Sequence, residues 1–102
     1  MLTPNQIREM IKSGQPLDGI TFKGNLVLSG LSLDILSITG ATIEGLLRIV
    51  NSTIKQTLDL RDSQVKGLIV EECKVGSLNV PRLTAPQGIA TPNTTLSGFT
   101  YQ

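Results

Sequence analysis

Two places in the chain bring carboxylates close together, Asp59 with Asp62 and Glu71 with Glu72. A carboxylate pair is the least equipment that general acid–base hydrolysis needs, one group giving a proton while the other takes one. Cys73 is the only cysteine and the only thiol nucleophile on offer. It has no imidazole base to activate it, because the chain contains no histidine. The same absence removes Ser-His-Asp triads, imidazole proton relays and histidine metal sites. A phosphate-binding loop, a CxxC pair and a dinucleotide fingerprint are also missing. The expectation is a protein that is not an enzyme, with no catalytic residue, no cofactor and no metal.

The elements that would have to position such groups point the same way. From Ile20 onward the apolar residues fall in i, i+2 pairs that recur every five or six positions. They run Ile20/Phe22, Leu26/Leu28, Leu31/Leu33, Leu36/Ile38, Ala41/Ile43 and Leu47/Ile49. The series continues with Ser52/Ile54, Leu58/Leu60, Ser63/Val65, Leu68/Val70, Cys73/Val75 and Leu78/Val80. A spacing of two puts both side chains on one face of an extended segment. Turn-favouring residues such as Gly24, Gly30, Gly40, Asn51 and Gly67 separate the pairs. The pattern predicts a chain that turns a corner about every five residues and keeps one side inward throughout. Four segments close one coil of roughly 20–22 residues, and such coils bury a core only by stacking. The pairs from Ile20 to Val80 therefore predict about three coils. Small first members stack over small ones (Ala41 over Ser63, Ser52 over Cys73) and large over large (Leu47 over Leu68), as a narrow interior requires. Cys73 is thereby an inward core residue. No loop insertion of the kind that builds active sites interrupts the repeat.

Ahead of the repeat, Thr3 can cap a helix, Pro4 suits its first position and Gln6 completes a capping box. Leu2 and Ile7 fit a hydrophobic staple, and Ile7, Met10 and Ile11 form one stripe. Gly14 and Pro16 stop the helix. Residues 4–13 are predicted to be a short helix, too short to stand alone in water, lying as a lid on the end of the core.

The segments GNLVLSGLSLDILSITGATIEG, LDLRDSQVKG and LIVEECKVG resemble the pentapeptide-repeat proteins over residues 17–83. The match is degenerate, with Ile or Val often at the central Leu or Phe position. The steps from Ile43 to Ile49 and from Ile54 to Leu60 are six residues long. The resemblance implies an all-β fold, a right-handed quadrilateral β-helix; the helix read from its own capping signals makes residues 1–16 the N-terminal cap. A left-handed hexapeptide helix is the alternative, and a small β-sandwich fits less well because the resets are too frequent.

Adding 20–22 to each outward charge lines up Lys23, Glu44 and Lys66, Asp34 with Lys55, and Asp62 with Arg82. Such pairs support register, each contributing ~0.2–1 kcal/mol. Glu71 and Glu72 instead stack on Val50 and Asn51, and Asp59 falls between Ser37 and Asn79. Arg48 lies between outward Val27 and Ile69, while Arg61 and Lys74 have no evident partner. Exposed apolar residues beside an unpaired Arg suit a protein interface, so Val27, Arg48, Val50, Ile69, Glu71 and Glu72 are the candidate partner-binding residues.

After Arg82 the character changes, since residues 83–102 carry no charged side chain and are rich in Thr, Pro and Gly. Residues 84–102 are read as a C-terminal cap or a subunit contact, with Ile89, Leu96, Phe99 and Tyr101 as anchors. Pentapeptide-repeat proteins often dimerise through this end, so the resemblance implies a possible homodimer there. Over 102 residues, 9 Lys+Arg balance 8 Asp+Glu at a net charge of +1, which leaves no nucleic-acid footprint. No signal peptide or membrane span is expected, the sequons at Asn51 and Asn93 are read as chance, and the lone thiol fits a cytoplasmic protein. Three functions remain. The first is a non-catalytic module, an inhibitor or adaptor that presses a rigid β-helix face onto a protein partner. The second is a structural subunit of a phage or secretion assembly. The third is a DNA mimic acting on an enzyme such as a type II topoisomerase, as the resemblance suggests for some members. Balanced charge speaks against the third.

Overall fold

The computed structural model describes residues 2–100. One helix, α1 (Pro4–Lys12), precedes ten strands. These are β1 (Thr21–Phe22), β2 (Leu26–Ser29), β3 (Ser32–Ser37), β4 (Thr42–Ile43), β5 (Leu46–Val50), β6 (Thr53–Asp59), β7 (Gly67–Glu71), β8 (Lys74–Asn79), β9 (Ile89–Ala90) and β10 (Thr95–Thr100). Every pairing is parallel. The ladders run β1-β4, β2-β5-β7-β9 and β3-β6-β8-β10, so each strand pairs with its counterpart one coil later. The molecule is a β-solenoid.

Register follows the inward pairs closely. Leu26 faces Leu47 and Leu47 faces Leu68; Leu36 faces Leu58 and Leu58 faces Leu78. Each of these leucines is buried, and together with Ile38, Ile43, Ile49, Ile54, Leu60 and Val70 they fill the interior. Cys73 is buried with them, as expected.

The coil count needs correction, from about three to about four. Residues 84–100 do not merely cover the last coil: they repeat it. Gln64 bridges Thr84, Ile89 faces Leu68, Leu96 faces Val75 and Phe99 faces Leu78. The reason is physical: parallel pairing is made by the backbone, and Thr, Ala and Gly at outward or small inward positions satisfy it as well as Leu and Val do.

The six-residue step after Ile54 also has a structural meaning. Ile54 faces Val75 and Thr57 faces Ser77, so Lys55 and Gln56 together oppose Gly76. This is a β-bulge, one extra residue that bends its strand. Inward Ile54 and Leu58 stand on either side of it.

The helix forms as the capping signals require. Thr3 Oγ1 accepts from Gln6 N at 3.2 Å and Gln6 Oε1 accepts from Thr3 N at 2.8 Å. Ile7 and Ile11 are buried against the first coil, with Leu2 and Met10 packed beside them. Burial of that stripe supplies what so short a helix lacks alone.

The connection from α1 into the repeat is tied by Asp18. Its Oδ1 accepts from Ser37 Oγ at 2.7 Å and from Thr39 N at 2.8 Å. Burial pushes this carboxyl up, but the hydrogen bonds from Thr39 and Ser37 outweigh it and hold it below its ordinary value. A depressed folded value means the carboxylate stabilises the fold above its unfolded value, about 3.9, and that this is lost as pH falls through the folded value. Thermal stability is therefore expected to drop as pH goes below about 4. Asp18→Asn should lower stability at pH 7 and shrink that acid-side drop, read by thermal melts across pH; an unchanged acid limb would contradict the tie.

Candidate functional site

The outer surface of the β2-β5-β7-β9 sheet carries the residues singled out for partner binding. Val27 faces Arg48, Arg48 faces Ile69 and Ile69 faces Ala90, in one row across four strands. Beside it, Ser29, Val50 and Glu71 form a second row. Val27 is 43% exposed, while Ile69, Val50 and Glu71 are half-buried and Arg48 is exposed. The predicted apolar–basic–apolar order is thus present on the outer face of one sheet.

Its charges differ from expectation. Arg48 is not unpaired: its guanidinium donates to Glu71 Oε1 on the next coil. The pair runs diagonally between the two rows, so strict 20–22 spacing misses it, but an arginine reaches that far. Asp59 and Arg61 are likewise not lone charges. Arg61 Nη2 donates to Asp59 Oδ2 at 2.9 Å, and its Nε donates to the same carboxylate. These two are neighbours along one strand direction, two residues apart, where no inter-coil alignment looks. Asp62 and Arg82 do pair as expected, with Nη2 to Oδ2 at 3.1 Å; the guanidinium holds the Asp62 carboxyl below its ordinary range. Among the described residues Lys23, Glu44, Lys66, Asp34 and Lys55 make no ion pair. For Asp34 and Lys55 the bulge is responsible, because Leu33 faces Ile54 but Ile35 faces Thr57.

Glu72 directly follows the end of β7 at Glu71. It sits at a corner with φ 52°, in the left-handed region, stacked with Gly30, Asn51 and Asn93, whose φ values are 67°, 50° and 52°. Gly19, Gly40, Asp62 and Arg82 make a second such column, at 72°, 61°, 59° and 59°. The corner gives the two candidate carboxylate pairs separate surroundings: Asp59 holds Arg61, Asp62 holds Arg82, and Glu71 holds Arg48.

Next to the corners the coil closes its own hydrogen bonds through small side chains. Ser52 Oγ accepts from Leu31 N at 3.1 Å and donates to Val50 O at 2.9 Å. Ser63 Oγ accepts from Ala41 N at 3.1 Å and donates to Ile38 O. Thr94 Oγ1 accepts from Cys73 N and lies 2.7 Å from Val70 O. Cys73 Sγ takes the same place, 3.1 Å from Glu71 O, and burial pushes its thiol up, away from the reactive thiolate. Sequence reading explained Ser52, Ser63 and Cys73 by size alone and did not place Thr94. The hydroxyls of Ser52, Ser63 and Thr94 also satisfy backbone groups next to the corners.

Of the four anchors proposed for a C-terminal contact, Ile89 and Leu96 are half-buried on the last coil and Phe99 is 51% exposed. Tyr101 lies outside the described residues. One exposed apolar residue was missed. Ile35, 55% exposed, stands on β3 between the half-buried Leu33 and the buried Leu36. The available signal was that Ile35 belongs to no inward pair. Among the described residues no helix is long and apolar enough to cross a membrane. No known protein family, curated protein or solved structure matches the chain.

Proposed function

We propose that this protein is a non-catalytic, pentapeptide-repeat-like binding module that presents the outer face of its β2-β5-β7-β9 sheet to a protein partner, as an inhibitor or adaptor in the cytoplasm. The observation that carries this reading is the row Val27, Arg48, Ile69 and Ala90, held in register across four strands. Rows on a hydrogen-bonded sheet lose little further freedom on binding, so apolar contact there is not offset by ordering. The Arg48–Glu71 pair sits among them as a polar fixture that would set orientation more than affinity.

A second reading, a structural subunit of a larger assembly, is favoured by the last coil. Its strands β9 and β10 lie in a stretch with no charged side chain, the composition that leaves a strand edge open to further pairing.

One experiment separates the two. The chain is immobilised and used for capture from nuclease-treated host extract, beside the Ile69→Asp variant. On the first reading the wild type recovers one protein near stoichiometrically. Ile69→Asp, folded by circular dichroism, loses at least about tenfold of it, as burying an unpaired carboxylate demands. Equal recovery by both proteins overturns the sheet face. Recovery of only further copies of the chain moves the weight to the second reading.

A further inference from the structure

The end of the solenoid nearest the helix is covered unevenly. Ile7 and Ile11 of α1 lie over the first coil, and α1 packs on the β2 side. Leu17 closes the β3 end of the coil through Leu17 N to Ser37 O at 2.9 Å. Between them the outer edge of β3 is open from Ser32 to Leu36, since its one ladder neighbour is β6 and Leu17 meets it only at Ser37. The consequence is visible position by position. Leu31 and Leu33 are half-buried, whereas the residues that stack on them, Ser52, Ile54, Cys73 and Val75, are all buried.

Two adjoining pockets, of about 340 and 210 Å³, occupy this gap and share Ile11 and Leu33. Together they form a slot along the β3 edge, floored by leucines. Among the described residues, the only charged side chains that line it are Arg8 and Lys12, one turn apart on α1. Arg8 donates to Asn5 Oδ1, and neither cation has an ion pair among the described residues.

We propose that this slot takes one extended segment of a partner protein with alternating acidic and apolar residues, which adds to β3 as a further strand. The open edge supplies main-chain hydrogen bonds, and alternate side chains of a strand point to opposite faces. Apolar side chains then pack on Leu31 and Leu33 while the carboxylates meet Arg8 and Lys12. Along residues 32–36, the part of β3 that Leu17 leaves open, about 17 Å, a strand core of about five residues fits. A basic segment would bring like charges together in the slot. This slot meets the β2-β5-β7-β9 face only at its margin, through Ser29, and does not use the row Val27, Arg48, Ile69 and Ala90.

The test uses the full chain and a fluorescein-labelled octapeptide of alternating Glu and Val, followed by anisotropy at low salt. Saturable binding is expected, weakened about tenfold or more in Arg8→Glu/Lys12→Glu, as the loss of two charge contacts and their reversal imply. Arg8→Ala/Lys12→Ala, which adds no repulsion to the helix, should give a smaller loss in the same direction. A Lys–Val octapeptide should not bind, and a Glu–Val peptide N-methylated at alternate residues should lose affinity. Absence of saturation, equal binding of the Lys–Val peptide, or full affinity in both folded variants would overturn the proposal. Retained affinity of the N-methylated peptide would overturn strand addition. Self-association in sedimentation that both variants abolish would give the slot to a second copy instead.

Discussion

Gly76→Ala is expected to lower the unfolding free energy by about 3 kcal/mol, the upper end for inserting one carbon into a packed site. A Cβ at this position would stand 2.4 Å from Lys55 O and 2.6 Å from Gln56 O. Both are backbone atoms of the bulge in β6, so no rotamer change relieves the contact. The ladder must open, on the strand that holds the third coil against the second. Gly98→Ala is the control: it lies one coil on in the same sheet, and its nearest neighbour would be Ser77 Oγ at 3.4 Å. Its cost should stay within about 1 kcal/mol. Urea unfolding of both variants reads the difference; similar midpoints would mean that the bulge yields.

Leu58→Ala should cost about 2–5 kcal/mol, in the upper half of that range. Leu58 is fully buried and stacks between Leu36 and Leu78. Its backbone is paired on both sides, so the walls of the cavity cannot move in, and the cost of a large-to-small change depends on how far a site collapses. A half-buried outward neighbour, Thr57→Ala, should change stability by no more than about 0.5 kcal/mol. A thermal shift for Leu58→Ala as small as that of Thr57→Ala would contradict the inward assignment.

The interior was legible because period-two pairs and their five- or six-residue recurrence report directly which side chains face the axis. The helix was legible from Thr3, Pro4 and Gln6 because capping is local chemistry. The fourth coil was not, since Thr84 and Thr95 carry no hydrophobic signal although their backbones pair with Gln64 and Lys74 one coil earlier. Surface pairing was read only where it runs straight up the stack. Asp62–Arg82 obeys that rule; Arg48–Glu71 reaches diagonally and Asp59–Arg61 stays within one coil. The left-handed corners at Glu72 and Arg82 hid behind their charge, because side chains of that type rarely adopt such backbone. The slot beside β3 depends on how α1 crosses the end of the coil, which no spacing encodes.

The two columns of left-handed corners fix how this chain can change length. Every turn of the solenoid needs one residue tolerant of positive φ at each column, filled here by Gly, Asn, Asp, Glu or Arg. A β-branched residue at Asn51, Asp62, Glu72, Arg82 or Asn93 is sterically barred. An insertion or deletion that keeps both columns aligned must therefore be a whole turn of about 21 residues. A shorter one puts a corner residue on a side, and turns inward pairs outward from that point on. The molecule is in this sense a counted object, whose length grows in discrete steps while its cross-section stays constant.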